Sequence, residues 1–262
     1  MTDLEQRFGG IARLYGRTAL DRLRHAHVCV IGLGGIGSWS VEALARSGVG
    51  ALTLVDLDDV CVTNINRQSH ALPRTVGRPK VEVLAERLHA IAPDIRVHPV
   101  LEFFTAASAE SIFVPRFDYV IDAIDSLSNK CRLIALCRDR QIPLITCGAA
   151  GGRRDPTAVR ITDLARASHD RLLAQVRKQL RAEHGFPRDP ASLGVDCVYS
   201  PEPPVFPHAD GTVCDSKKAA RASAAEDSLR LNCNSGLGSA TFVTGAFGFA
   251  AAAHVVTKLA IH

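Results

Sequence analysis

The sequence predicts an α/β fold built on a doubly wound, mostly parallel sheet, and three observations lead there. Between residues 27 and 147, short apolar runs alternate with stretches of helical spacing. The runs are rich in Val, Ile and Leu with little polar alternation, the pattern of strands covered on both faces. The first run ends in a glycine-rich turn that leads straight into a helical stretch, as the opening strand of a βαβ unit does.

The elements follow in order. Residues 27–32 (HVCVIG) read as a buried strand, 36–47 as a helix and 51–56 (ALTLVD) as a second strand. Over 80–92 the apolar positions 81, 84, 85, 88 and 91 have helical spacing, and Pro93 stops the helix. Residues 96–101 and 119–124 read as strands, 130–140 as a helix and 143–147 as a strand. Beyond them, 158–162 suits one more strand, 164–184 is an arginine-rich helical stretch, and four prolines between 201 and 210 followed by Gly211 mark a loop. Residues 212–231 are charged and weakly patterned. The expectation is a single unit over 1–262, with a nucleotide-binding core at about 25–150 and a C-terminal extension at about 151–262 that serves substrate binding and dimerisation.

Composition narrows the function only a little. Apolar residues at 47% and charged residues at 22% fit a globular chain that can bury a sizeable core. A net charge of +4 permits an anionic partner without demanding one. The opening residues are polar and acidic, so no signal peptide is expected. Of the eight cysteines, Cys29, Cys131, Cys137 and Cys147 sit in or beside apolar segments, and no CxxC occurs, which argues against a zinc knuckle. Together these point to a reducing cytoplasm. Residues 237–253 are uncharged, but their small residues suit a close-packed buried helix ending at His254. No membrane span is expected.

The chemistry starts at Gly32-Leu33-Gly34-Gly35-Ile36-Gly37, a G-x-G-x-x-G placed after a strand and before a helix. Gly32, Gly34, Gly35 and Gly37 permit a tight turn and let backbone amides approach phosphate at the helix start, giving a Rossmann-like nucleotide site. Asp56 follows about 20 residues on, where a carboxylate accepts hydrogen bonds from ribose hydroxyls. That fingerprint alone suits a dinucleotide. The segment from Asp56 through Asp58, Asn64, Arg67 and Gln68 to Lys80 favours ATP instead. Cleaving a triphosphate needs cations and a metal where charge builds up. Arg67 and Lys80 supply the cations, Asn64 and Gln68 neutral donors, and Asp125 a carboxylate for Mg²⁺ at the end of a strand. Taken singly, Arg67 and Lys80 read equally as solvated surface charges, Asp58 as a turn-former, and Asp122 or Asp125 as a helix cap.

At these residues the chain resembles the ubiquitin-activating-enzyme superfamily, which includes the molybdopterin and thiamine adenylyltransferases. Gly32–Gly37, Asp56-x-Asp58-x-Val60, Asn64-x-x-Arg67-Gln68, Lys80 and Asp122-x-x-Asp125 carry the likeness. Within it the chain is most similar to the bacterial subfamily that dehydrates threonylcarbamoyladenosine in tRNA. That likeness rests on the block from Arg7 to Gly16, on Asp56 to Gln68, on Val120 to Ser126, on Gly194 to Val198 and on Asp210 to Cys214. The resemblance implies a ubiquitin-activating-enzyme-like fold and activation of a carboxylate by ATP and Mg²⁺. The carboxylate would be that of the threonylcarbamoyl group next to the anticodon, closed into a ring by loss of water. It implies that Asp56 holds the ribose, that Asn64, Arg67 and Lys80 bind and polarise the phosphates, and that Asp125 supports the metal. It also implies a homodimer in which an N-terminal arginine crosses to the partner's ATP; here Gly9-Gly10 stand where relatives carry it, leaving Arg7 or Arg13 as substitutes.

Three alternatives stay open on the sequence. One is an adenylyltransferase acting on the C-terminal carboxylate of a ubiquitin-like sulfur carrier. Another is an NAD-linked oxidoreductase, which the Asn64, Arg67 and Lys80 set disfavours; the third is a non-enzymatic scaffold for a cysteine-desulfurase, sulfur-acceptor system. A thioester route would need a nucleophilic thiol, and Cys197, Cys214 and Cys233 are the candidates. For a tRNA partner, Arg166, Arg171, Arg177, Lys178 and Arg181 share one stretch, with Arg153, Arg154, Lys217, Lys218 and Arg221 nearby. Such residues contact phosphate, though they suit a solvated helix face as well.

Overall fold

Helices and strands alternate where apolar spacing changes period, and the result is a single seven-stranded sheet with helices on both faces. The structure is a computed structural model describing residues 3–188, 192–208, 210–215 and 237–261. Two helices, α1 (Asp3–Tyr15) and α2 (Arg17–His25), precede β1 (His27–Ile31). Then come α3 (Gly37–Arg46), β2 (Ala51–Val55), α4 (Lys80–Ile91), β3 (Arg96–Val100), the short α5 (Ala109–Ile112) and β4 (Tyr119–Asp122). The chain continues through α6 (Leu127–Asp139), β5 (Leu144–Cys147), β6 (Arg160–Asp163), α7 (Arg171–Glu183) and β7 (Asp196–Tyr199). A two-stranded ribbon of β8 (Phe206–Pro207) and β9 (Val213–Cys214) follows, and α8 (Thr241–Ile261) ends the described chain.

The strand order is β3-β2-β1-β4-β5-β7-β6, parallel throughout except for the antiparallel edge pair of β6 and β7. After β1 the chain winds outward to β2 and β3, then crosses back to place β4 on the other side of β1. Order therefore reverses between β1 and β4, and a crevice opens at the carboxyl ends of those strands. The register levels the two ends, with Ile31 opposite both Val55 and Asp122. The main core joins Val28, Val30, Leu52, Leu54 and Ile121 of the strands to Leu44 of α3 and to Val243, Phe247 and Val255 of α8.

The predicted α/β doubly wound fold stands, and several local readings change. Strand β4 stops at Asp122 instead of 124, and the strand expected over 158–162 begins at Arg160, after a 3-10 turn over Pro156–Ala158. Strand β7 was not anticipated, because four residues beginning on Asp196 carry little pattern until β5 and β6 flank them. Helices α1 and α2 were not assigned from the sequence either.

The arginine-rich stretch is not one helix. It divides into a 3-10 turn over Leu164–Arg166 and α7, because His169 adopts φ 55° and Asp170 caps α7 by accepting from the Leu173 amide at 2.9 Å. The C-terminal helix does not end at His254. It runs to Ile261, about two turns past His254, whose ring meets the Asp196 carboxylate at 2.9 Å, and is long and apolar enough by composition to cross a membrane. Here it lies with one face on α3, where the Ser40 hydroxyl donates to the Gly248 carbonyl at 3.1 Å.

Candidate active site

The glycine turn is shaped by what surrounds it. Gly32 adopts φ +88°, and a Cβ there would lie 2.8 Å from the Ala123 carbonyl. A Cβ at Gly37 would meet the Gly32 carbonyl at 1.9 Å, so only glycine lets α3 start this close to β1. A side chain on Gly34 would meet nothing nearer than Gln68 Nε2 at 4.0 Å, which leaves that peptide open to a ligand. Helix α3 begins without a side-chain cap, so its first amides are available to an anion.

Asp56 follows β2 and is buried beside this turn. Its carboxylate accepts from the Leu33 amide at 2.6 Å and from the Asp58 amide at 2.9 Å, so it also fixes the glycine turn. Burial pushes its pKa up, opposed by the Lys80 charge and the two amides. Lys80 starts α4, far along the chain, yet its Nζ lies 2.7 Å from Asp58 Oδ2. A backbone zipper makes that approach: Val60 donates to the Arg78 carbonyl at 2.9 Å and Lys80 to the Asp58 carbonyl at 3.0 Å. The lysine side chain is 6% exposed, which rules out a solvated surface charge.

Arg67 stands over Gly35, its Cγ 3.5 Å from where a Cβ would be. Its guanidinium donates to the Thr63 carbonyl at 2.6 Å and to Asn66 Oδ1 at 3.1 Å. Its own carbonyl accepts from Trp39 Nε1 of α3 and Thr244 Oγ1 of α8, which anchors it to both helices. Asn64 is buried and shapes the loop, its Oδ1 accepting from the Cys61 amide at 2.9 Å. Gln68 is buried against the glycine turn, and its Oε1 has no hydrogen-bond partner. An orphaned polar atom at such a place suits a bound ligand.

On the far side of the crevice, Asp125 follows β4, is exposed, and forms no hydrogen bond or ion pair with a described residue. Among the described residues there is no cluster of three or more metal-binding side chains. Mg²⁺ commonly binds through one or two carboxylates together with substrate phosphates, and Asp125 suits that mode. Neither Asp122 nor Asp125 caps α6. Asp122 instead accepts from the Ile124 amide at 3.0 Å, from Lys130 Nζ at 2.8 Å and from Thr146 Oγ1 at 2.6 Å. The Asp122–Lys130 pair is 0% exposed and holds the turn that carries Asp125.

Sequence reasoning gave Lys130 no role and took Arg153 for a phosphate contact. Arg153 is buried, and its guanidinium reaches the carbonyls of His169 at 3.0 Å and Ser200 at 3.3 Å, tying three loops together. It is therefore removed from the list of phosphate contacts, and Arg166 lies off α7. Lys217, Lys218, Arg221 and Cys233 lie outside the described residues.

Cys197 is buried, and burial pushes its thiol up to about 12, which disqualifies it as a thiolate nucleophile. Cys29, Cys131, Cys137 and Cys147 are buried free thiols, as expected. On α1, Arg7 is engaged by Asp3 at 2.6 Å and by the Ile91 carbonyl, whereas Arg13 is exposed and curls back along Gly9.

The sequence profile of the ThiF family matches residues 9–261. A tRNA threonylcarbamoyladenosine dehydratase of Escherichia coli (strain K12) is 51% identical over 97% of this chain and 93% of its own length. The corresponding Haemophilus influenzae protein is 46% identical over 97% of this chain and 94% of its own. A crystal structure of the E. coli tRNA N6-threonylcarbamoyladenosine dehydratase in complex with ATP superposes with a TM-score of 0.85 at 46% identity, covering 98% of this chain and 96% of that one.

Proposed function

The chain belongs to the ThiF family, and from that premise we propose how its residues serve an ATP-dependent dehydration of threonylcarbamoyladenosine in tRNA. The activity itself is that of a carboxylate-activating tRNA threonylcarbamoyladenosine dehydratase, similar along nearly its whole length to proteins of that name. The observation that carries the residue roles is the convergence of Asp56, Asp58 and Lys80 with the glycine turn and Arg67 at the β1/β4 crevice.

Asp56 accepts the ribose hydroxyls of ATP while its contact with the Leu33 amide keeps the glycine turn in shape. The amides from Gly34 to Gly37 receive phosphate oxygens. Arg67 and Lys80 neutralise charge as the substrate carboxylate attacks a phosphorus of ATP, and Gln68 and Asn64 contribute amide contacts. Lys80 keeps Asp58 as its partner until phosphate arrives. The carboxylate becomes a mixed anhydride. The new carboxylate O–P bond replaces a phosphoanhydride bond of ATP, which releases pyrophosphate if the α-phosphorus is attacked or ADP if the γ-phosphorus is. An internal nucleophile of the same modified nucleoside then attacks the carbonyl carbon of the mixed anhydride, gives up its proton, and expels AMP or phosphate carrying the carboxylate oxygen. The net change on the nucleoside is loss of one water. Ring closure within one molecule needs orientation and no protein thiol. Mg²⁺, held by Asp125 with the phosphates, would supply charge neutralisation there.

We further propose a homodimer in which Arg13 is the arginine that crosses to the partner's ATP, because Arg7 is already engaged by Asp3 of α1 and the Ile91 carbonyl of α4. A cytoplasmic setting suits the buried free thiols of Cys29, Cys131, Cys137, Cys147 and Cys197. Any contact with a cysteine-desulfurase system would fall on the C-terminal half, where Cys214 is partly exposed. The sulfur-carrier reading lacks a comparable observation.

Asp56→Ala and Arg67→Ala should each lower kcat/KM for ATP by roughly 10²–10³-fold. Circular dichroism should show the fold intact. Near-wild-type rates in both would place the nucleotide elsewhere.

A further inference from the structure

A groove of about 300 Å³ runs along α7, lined by Ala174, Arg177, Lys178, Arg181, Ala182 and Arg188. Ala174, Lys178 and Ala182 are four residues apart and form one strip, so two alanines make a low floor between four cations. No carboxylate lines the groove among the described residues. Glu183 takes a hydrogen bond from Gln179 and lies roughly 140° around the helix from Lys178. Asp170 is buried at the N-cap.

The cations are held in two ways. Arg177 donates to the Leu164 and Ala167 carbonyls, contacts that fix its guanidinium without cancelling its charge, and Arg181 donates to the Pro187 carbonyl. Lys178 and Arg188 are exposed and form no hydrogen bond or ion pair with a described residue. A concave site of one charge sign, partly preorganised and without aromatic rings, fits phosphodiester and offers nothing to read bases. Helix α7 also starts at the crevice side of the sheet, where Asp170 accepts from the Ala149 amide just past β5.

We propose that this groove docks the sugar-phosphate backbone of the tRNA at a distance from the nucleoside being modified. The proposal rests on the tRNA reading above, and its test separates the two. Unmodified tRNA is the probe, because phosphate contact does not require the modified base. Binding is measured across a range of salt for the wild type, Lys178→Glu, Arg188→Glu and the double variant. Arg17→Glu, at an exposed position at the start of α2 and carrying the same change in net charge as each single reversal, is the control.

Each groove reversal should weaken binding several-fold and reduce the slope of log affinity against log salt by about one. Arg17→Glu should leave the slope in place, and KM for ATP should be unchanged throughout. Unaltered affinity and slope in the double variant, or an equal loss in Arg17→Glu, would overturn the proposal. A wild type that binds tRNA through this groove yet removes no water from the modified nucleoside would refute the dehydratase reading and leave the groove standing.

Discussion

His70 is 1% exposed, and neither ring nitrogen has a hydrogen-bond partner. Burial first, and then the charges of Lys80 and Arg87, lower its pKa from 6.5 to about 4. The folded protein therefore holds the neutral ring while the unfolded chain takes a proton near pH 6.5. Stability from this residue is complete above pH 6.5 and is lost as pH falls toward about 4, on the order of 3 kcal/mol in all. Urea midpoints measured across that window should fall in the wild type and stay flatter in His70→Leu; parallel curves would contradict the assignment. Asp56 behaves oppositely, since burial raises its pKa and ribose binding needs the ionised form. The acid limb of kcat/KM for ATP should accordingly lie above the ordinary carboxylate range, and a limb at or below it would show that Asp56 does not gate binding. The roles proposed for Asp56, Arg67 and Lys80 rest on residues that fall at motif spacing in the sequence. Lys130 was not legible there, since nothing local shows that a lysine in α6 turns inward onto Asp122.

At the level of elements, α8 against α3 is the contact on which the site leans, because Thr244 holds the Arg67 carbonyl. A Cβ at Gly248 would meet the Ile36 carbonyl at 2.6 Å and Trp39 Cβ at 2.9 Å. Gly248→Val should destabilise by roughly 1–3 kcal/mol through this overpacking. It should also raise KM for ATP by displacing Arg67, and thermal unfolding with ATP kinetics checks both. A lower Tm with unchanged KM would uncouple α8 from the site. Boundaries were legible where chemistry punctuates the chain, as for α4, bracketed by Pro79 and Pro93. They failed where tertiary contacts decide. Strand β7 exists because β5 and β6 flank it, the α7 stretch breaks at a left-handed His169, and α8 continues past His254 because Asp196 receives that ring.

For the whole molecule, the doubly wound sheet puts the glycine turn and Asp125 on opposite lips of one crevice, and the groove on α7 extends the positive surface to the flank. The fold class and the nucleotide site followed from strand–helix alternation and the glycine fingerprint. The tRNA substrate did not follow from physics, because a nucleotide site does not state which carboxylate it activates; the full-length similarity supplies it. The proposed dimer depends on a surface that the single chain cannot complete. The most direct measurement incubates the protein with ATP, Mg²⁺ and tRNA bearing threonylcarbamoyladenosine, and then weighs the nucleoside. Loss of one water, dependent on ATP and slowed roughly 10²–10³-fold in Arg67→Ala, is the predicted result. An unchanged nucleoside mass with intact substrate and ATP-binding protein would contradict the account.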